Sequence, residues 1–128
     1  GFDAVLLIGD QALHHNKHGL GGFELVYDLA AEWYDWKKMP FVFAVWAVKK
    51  GVPAETRAAL ETTIRQSLVK SEGRYRAIGE LRGKELGLDP AYVEEYLEGF
   101  NYTLGEREKN AMKEFRKLTA EVNREVAL

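Results

Sequence analysis

Apolar residues form two unbroken runs early in the chain, at residues 4–8 and 41–48. Neither run alternates apolar and polar positions, which is typical of strands covered on both faces, as in parallel α/β sheets. A short buried helix is the alternative for the first run, whereas the β-branched and aromatic content of the second favours a strand. A weaker run at 23–27 offers a third strand. The pattern therefore predicts two strands and at most one more.

The segment between the two runs has a helical spacing of apolar residues. Leu29, Trp33 and Trp36 recur four and three positions apart, which places them on one face of a helix over residues 28–37. Asp28 is suited to cap this helix, because its carboxylate can accept from the free amides of the first turn. The order strand, helix, strand predicts a crossover unit in an open sheet.

After Gly51 the pattern is helical throughout. Pro53 suits a first helical position, and Leu60, Ile64 and Leu68 form a stripe on one face. Further helix boundaries are predicted at Gly73, at Gly87, at the Asp89-Pro90 pair and at the capping-box spacing of Thr103 and Glu106. The last helix is expected to bury the apolar residues on one face, which are Met112, Phe115, Leu118 and Val122.

Two glycines four positions apart, Gly79 and Gly83, lie inside one of these helices. Such a spacing can allow two helices to approach closely. We expect instead that the pair only weakens its helix, since glycine is a poor helix former.

Two strands that are apolar on both faces need neighbouring strands, because their backbone amides and carbonyls must be paired. The chain supplies at most one such neighbour. The sequence therefore predicts an obligate homodimer, a strand-exchanged assembly, or a part of a larger sheet protein.

The composition narrows the function classes. The 128 residues are 46% hydrophobic and 30% charged, with a net charge of −2, which leaves no basic footprint for nucleic acid or an anionic membrane. The length predicts one domain, and the eight-residue apolar run is too short to span a membrane. The absence of cysteine excludes cysteine metal sites. Phosphate-binding and dinucleotide-binding motifs are also missing, and no cofactor is predicted. The nucleophilic-serine motif is missing too, so we do not expect nucleophilic catalysis by this chain alone.

The best candidate for chemistry is the Gly9-Asp10 pair at the end of the first run. Ligands in open α/β sheets lie beyond the carboxyl ends of strands, and Gly9 lets a ligand approach the backbone closely. Asp10 could orient a hydroxyl group or act as a base. The simpler interpretation, which the residue types favour, is a tight turn at Gly9 with Asp10 capping a short helix.

Three histidines follow, at His14, His15 and His18. His14 and His18 have the i, i+4 spacing of helical zinc ligands, but the glutamate of the zinc-protease pattern is missing and glycines follow directly. We therefore expect exposed loop histidines and no metal site, with a mobile lid over a cleft as a further alternative.

The tryptophans favour a structural role. Trp33, Trp36 and Trp46, with Phe41 and Phe43, could form a stacking platform for bases, but no basic residues interleave them. Packing in the core is the preferred interpretation. If the second run is a core strand, truncating Trp46 to alanine should cost about 3–5 kcal/mol.

Three blocks of sequence, in order and with matching gaps, resemble the second half of the chorismate dehydratase family, which opens the futalosine route to menaquinone. They are residues 3–13, 27–33 and 39–47. The chain departs from the family pattern at Ala30 and Ala31, where glycine and glutamate are usual, and at residues 37–39, where the family has Thr-Gly-Leu. Residues 96–115 resemble the C-terminal helices of the family, so the likeness covers nearly the whole chain.

The resemblance implies an α/β fold: the C-terminal half of a two-lobed architecture similar to type II periplasmic binding proteins, helix-rich after residue 51 and used in the cytoplasm. Residues 1–50 would then form a strand-helix-strand segment of the ligand cleft and lobe crossing. Residues 51–128 would form a helical part that packs on the first lobe, within a single structural unit. The absent half would supply the missing strands.

The reaction implied by the resemblance is loss of water from chorismate, giving 3-enolpyruvyl-benzoate. The positions that map near the expected cleft are Gly9, Asp10, Phe43 and Ala44, as substrate-binding residues, and no catalytic residue is assigned. The implied partner is a companion N-terminal half or a second copy. A noncatalytic module that binds small anions, and a helical interaction module without a ligand site, are the alternatives.

Overall fold

The computed structural model describes residues 2–126. Its six helices are α1 (Asp10–His18), α2 (Leu29–Lys37), α3 (Ala54–Ser71), α4 (Tyr75–Leu86), α5 (Pro90–Glu98) and α6 (Glu106–Val126). The chain divides into two compact units, each made of two separate stretches. Unit 1 comprises Gly1–Leu25 and Lys49–Tyr102, and unit 2 comprises Val26–Val48 and Thr103–Leu128.

The prediction of an α/β fold similar to type II periplasmic binding proteins is wrong for this structure. No strand is found among residues 2–126, and the three runs predicted as strands have no regular secondary structure. Their side chains are also largely exposed: Ile8 by 77%, Phe43 by 68% and Trp46 by 81%. A strand exists only when its backbone is paired with a neighbour, and the described part of the chain offers these runs no strand partner.

The helix predicted between the first two runs is confirmed. α2 begins after Asp28, whose Oδ1 accepts hydrogen bonds from the amides of Ala30 and Ala31 at 2.8 and 3.2 Å. The helix ends at Lys37, followed by Lys38 in the left-handed conformation with φ 54°. Lys38 still donates its amide to the carbonyl of Tyr34 and closes the last turn.

The predicted boundaries of the middle helices are also confirmed. α4 ends before Gly87, a left-handed cap with φ 66° that favours glycine. Asp89 caps α5 by accepting from the Ala91 amide at 2.8 Å, with Pro90 in the first turn. The prediction for Pro53 is wrong by one position: α3 starts at Ala54, so Pro53 precedes the helix and is not its first residue.

The last helix starts later than the capping-box spacing predicted. α6 begins at Glu106, and Glu108 Oε2 accepts from the Gly105 amide at 2.9 Å. This is the reciprocal half of a capping box, placed two residues further along. The expected buried face is only partly correct, since Phe115 is 41% and Val122 56% exposed.

The core of unit 1 is small. Leu13 of α1 packs with Leu88 and Val93, and the half-buried side chains around them are Leu86, Tyr92 and Leu97. Asn16 Nδ2 donates to the Tyr92 hydroxyl at 3.0 Å, so a polar contact fixes the same helix at its edge. This packing holds α1 against the α4–α5 end of the unit.

The glycine pair of α4 has a packing role, which the sequence analysis did not favour. A Cβ on Gly79 would lie 2.5 Å from the carbonyl oxygen of Pro90, and one on Gly83 would lie 2.8 Å from the carbonyl oxygen of Leu88. Among the described residues, α4 and α5 are the one pair of helices in extensive contact. The missing side chains therefore allow the backbones of α4 and α5 to meet.

Unit 2 is held together by aromatic rings. Trp33 of α2 is only 7% exposed and forms edge-to-face contacts with Trp36, Phe41 and Phe115, at centroid distances of 6.0, 6.1 and 5.5 Å. Its indole Nε1–H donates to the Pro40 carbonyl at 3.2 Å. The residue thus joins α2, the segment after it and α6.

An ion pair supplements this cluster. Lys37 Nζ lies 2.8 Å from Glu114 Oε1, with both side chains about a quarter exposed. The hydrogen bond from Lys37 lowers the pKa of Glu114 from its usual 4.5, and burial opposes that shift. The folded state therefore favours the ionised carboxylate.

This pKa shift predicts an acid-sensitive contribution to the stability of unit 2. Because the pKa of Glu114 is depressed on folding, its contribution is present above the unfolded value and is lost as the pH falls through the folded value. In urea unfolding, the midpoint concentration should fall as the pH is lowered from neutral to about 3.5, and we expect this fall to be smaller in Glu114→Gln than in the parent chain. Glu121→Gln, on the same helix, is the control. An equal slope for parent and Glu114→Gln would contradict the prediction.

Much apolar surface of the chain faces solvent. α3 buries no residue, and its stripe residues Leu60, Ile64 and Leu68 are exposed or half-exposed. Exposed apolar area on this scale is unusual for a self-contained domain. No helix in the described chain combines the length and the apolar character needed to cross a bilayer.

Candidate functional site

The Gly9-Asp10 pair lies at the start of α1. Gly9 precedes the helix with φ 67°, a conformation that favours glycine, and a Cβ there would meet no atom within 4 Å. The helix is without a side-chain cap, so Asp10 does not cap it as the simpler interpretation supposed. Asp10 is the first helical residue, in the turn whose backbone amides have no partner within the helix.

Asp10 has a partner on another helix of unit 1. Its Oδ2 lies 3.6 Å from Arg82 Nη2 on α4, and both side chains are about half exposed or more. Arg82 also donates to Glu85 Oε2 through Nη1. Solvent reaches the carboxylate and the guanidinium alike, so this corner presents an anionic and a cationic group to any ligand that approaches it.

The other two predicted site residues, Phe43 and Ala44, belong to unit 2. The ring of Phe43 stands edge-to-face on Phe41 with centroids 5.1 Å apart. Ala44 lies in the irregular segment that follows and is exposed. Phe43 therefore borders the aromatic cluster of unit 2, while Gly9 and Asp10 are together in unit 1.

A groove in unit 2 runs along this aromatic cluster. It encloses about 440 Å³ and is lined by Leu29, Glu32, Trp33, Trp36, Phe41 and Phe115. Trp36 is 66% exposed, and Lys37 Nζ lies over its ring at 4.3 Å from the centroid, in a cation–π contact. Apart from Glu32, the residues that line the groove are apolar, and it lacks the convergent polar groups of a small-molecule site.

The histidines lie in helix α1 and not in the loop that the sequence favoured. The rings of His14 and His18 have centroids 4.6 Å apart, and those of His14 and His15 are 5.3 Å apart. His15 Nδ1 is 3.0 Å from the Gly19 carbonyl oxygen, to which it donates. Within residues 2–126 no group of three or more histidine, aspartate or glutamate side chains is placed to hold a metal ion.

A tyrosine in unit 1 has a perturbed acidity. Burial raises the pKa of Tyr102 above its usual 10.0, with a further contribution from Tyr75 and Tyr96. Its hydroxyl donates to the Leu97 carbonyl at 3.2 Å. Tyr102 therefore stays protonated near neutral pH and acts as a hydrogen-bond donor, not as a base.

Comparison with known proteins identifies the family. The family model described as "Menaquinone biosynthesis" matches residues 1–121 of the chain. Since the match covers nearly all of the sequence, the chain belongs to this family.

A curated relative makes the likeness more specific. The chain is 33% identical over 127 residues to the chorismate dehydratase of Thermus thermophilus. The aligned region covers 89% of this chain and 46% of the relative, so the chain spans about half the length of that protein. No solved structure gives a significant match.

These findings confirm the resemblance drawn from the three sequence blocks. They do not carry over the architecture that the resemblance implied, since the described residues are helical without a sheet. The family assignment thus stands on sequence, and the arrangement of the site stands on the helices.

Proposed function

We propose that the chain takes part in the removal of water from chorismate, giving 3-enolpyruvyl-benzoate in menaquinone biosynthesis. The observation that carries this proposal is the family match over residues 1–121 together with the 33% identity to a chorismate dehydratase. The reaction is a balanced elimination, in which a ring proton and a hydroxyl group leave chorismate as water. We propose that it takes place in the cytoplasm, the compartment that the resemblance to the family implies.

Within the chain, Gly9 and Asp10 are the substrate-binding residues best suited to this reaction. Chorismate carries two carboxylates, which are bound by amide and guanidinium donors. The first-turn amides of α1 and the Arg82 guanidinium supply such donors in one unit. Asp10 is placed to accept a hydrogen bond from a substrate hydroxyl or to hold Arg82 in position. Phe43 and Ala44 remain binding candidates of unit 2, with Phe43 offering a ring face.

We propose that the activity also requires the part of the relative that the chain does not match. The relative is about twice as long as the matched region, and α3 presents a full helix without a buried residue. We infer that residues 51–128 provide the surface on which the rest of a complete enzyme packs. A second copy of the chain is the alternative companion.

A reconstitution assay tests this function. We expect the chain alone to leave chorismate unchanged, and the chain mixed with the unmatched part of the Thermus thermophilus relative, made as a separate polypeptide, to convert it. Loss of the chorismate absorption and chromatographic detection of the product measure turnover. Asp10→Asn should lower kcat/KM of the mixture at least about tenfold, a loss of about 1.4 kcal/mol of transition-state binding.

The matched control is Asp35→Asn, which changes an exposed aspartate of unit 2 paired with Lys38. It should leave turnover unchanged. Full turnover by the Asp10→Asn mixture would show that Asp10 is not part of the site, and it would leave the proposed activity standing. Turnover by the chain alone would show that the activity needs no companion polypeptide. Binding of chorismate without product would favour a noncatalytic anion-binding module, and a folded mixture that neither binds nor converts chorismate at about 1 mM would overturn the proposal.

A further inference from the structure

Two histidine side chains of α1 lie one helical turn apart, with their rings close together. The rings of His14 and His18 have centroids 4.6 Å apart, and their planes are inclined by 45°. His14 is half-buried and His18 is exposed, so solvent reaches the pair. We propose that His14 and His18 form a binding site for a divalent transition-metal ion.

The ring separation agrees with two ligands on one ion. A metal–nitrogen bond of about 2.0–2.1 Å puts each ring centroid about 3.2 Å from the ion. Two such rings at right angles around the ion are about 4.5 Å apart, and at a tetrahedral angle about 5.2 Å. The observed 4.6 Å fits the right angle, which is the angle between neighbouring ligands in square-planar and octahedral complexes. Imidazole ligands in that geometry favour Ni²⁺ or Cu²⁺ over tetrahedral Zn²⁺.

His15 does not belong to this pair, although it is the nearest neighbour in sequence. Its ring stands edge-on to His14 at an interplanar angle of 85°. Its Nδ1 donates to the Gly19 carbonyl at 3.0 Å and closes the C-terminal end of α1. Because this hydrogen bond occupies Nδ1, we do not expect His15 to bind the ion, and His15 can serve as the control histidine.

Nearby charged groups leave the remaining coordination positions open. Asp10 lies one turn before His14 on the same face, but its carboxylate is paired with Arg82. Lys17 Nζ lies over the Tyr92 ring, 5.0 Å from the centroid. Since no third histidine or carboxylate in the described chain completes the set, water fills the other positions and the ion exchanges readily.

Titration of the chain, made without a histidine tag, with Ni²⁺ in a calorimeter tests this site. We expect one ion per chain, an affinity at least about tenfold lower for His18→Ala, and a change below about threefold for His15→Ala. His14→Gln should match His18→Ala, and circular dichroism checks that the variants keep their helices. A Cu²⁺ complex should show nitrogen hyperfine coupling in its electron paramagnetic resonance spectrum.

Three results would overturn the site. One is the absence of Ni²⁺ binding to the folded chain up to about 1 mM. Another is an equal loss of affinity in His15→Ala and His18→Ala, which would assign binding to histidine content alone. The third is unchanged affinity in His18→Ala. None of these readouts depends on chorismate turnover, so the metal site and the proposed enzyme function are judged independently.

Discussion

Trp33→Ala should lower the free energy of unfolding of unit 2 by about 3–5 kcal/mol. Trp33 is buried, contacts three aromatic rings, and its Nε1–H is bonded to the Pro40 carbonyl. Truncation removes the ring that joins α2 to α6 and leaves a cavity beside Phe115. Urea unfolding followed by far-ultraviolet circular dichroism measures the loss. Trp33→Phe, which keeps a ring but no donor, should lie between the parent and the alanine variant.

Trp46→Ala provides the matched comparison, because it removes the same side chain from an exposed position. With Trp46 81% exposed, the expected change is below about 1 kcal/mol. The expectation of a large loss at Trp46 rested on a core strand that the structure does not contain among residues 2–126. A loss at Trp46 equal to that at Trp33 would show that the exposed segment is packed in solution and would refute the assignment of the core.

Gly79→Ala should destabilise unit 1 by about 1–3 kcal/mol. Alanine in the middle of a helix is normally favoured over glycine by about 1 kcal/mol. Here the added methyl group would meet the Pro90 carbonyl oxygen at 2.5 Å and the Glu94 amide nitrogen at 3.3 Å. Both are backbone atoms, so α4 and α5 must move apart. Thermal unfolding of the chain measures the effect.

The control for this prediction is Lys84→Ala on an exposed position of the same helix. It should change stability by less than about 0.5 kcal/mol. A Gly79→Ala variant as stable as the parent, or more stable, would show that helix propensity outweighs the contact and that the helices have room to adjust.

The helix boundaries were predictable because their signals are local. Asp28 and Asp89 accept from amides two residues ahead, and Gly87 adopts a left-handed conformation within its own turn. Each of these features depends on the immediate neighbours in the chain. A sequence read without coordinates therefore places α2, α4 and α5 correctly.

The strand predictions failed because a strand depends on what lies beside it. The apolar runs at 4–8 and 41–48 indicate burial on both faces, yet Phe43 and Trp46 are exposed. The hydrophobic pattern records where side chains are suited to be buried and not which backbone will pair with them. The close approach at Gly79 and Gly83 was missed for a related reason, since its partner, Pro90, is set by the packing of α5.

The candidate site was predictable only in part. Gly9 adopts a positive φ, as its residue type suggested. The contact between Asp10 and Arg82, however, joins residues that are 72 positions apart in the sequence (82 − 10), so no local pattern predicts it. The pairing of His14 with His18 had a local signal in the i, i+4 spacing. That signal was discounted because the glycines after His18 favoured a loop, whereas α1 continues through His18 before they begin.

The bare surface of α3 has a thermodynamic consequence. This helix of 18 residues is held mainly by its own backbone hydrogen bonds and by side-chain contacts within the helix, such as the Glu61–Arg65 pair. Helices stabilised only in this way are marginal in water. Such a segment opens locally at small cost. Contacts formed in any assembly that α3 enters must therefore offset the conformational entropy that the helix loses when it is fixed. We expect such association to have a favourable enthalpy, an unfavourable entropy and a negative heat-capacity change.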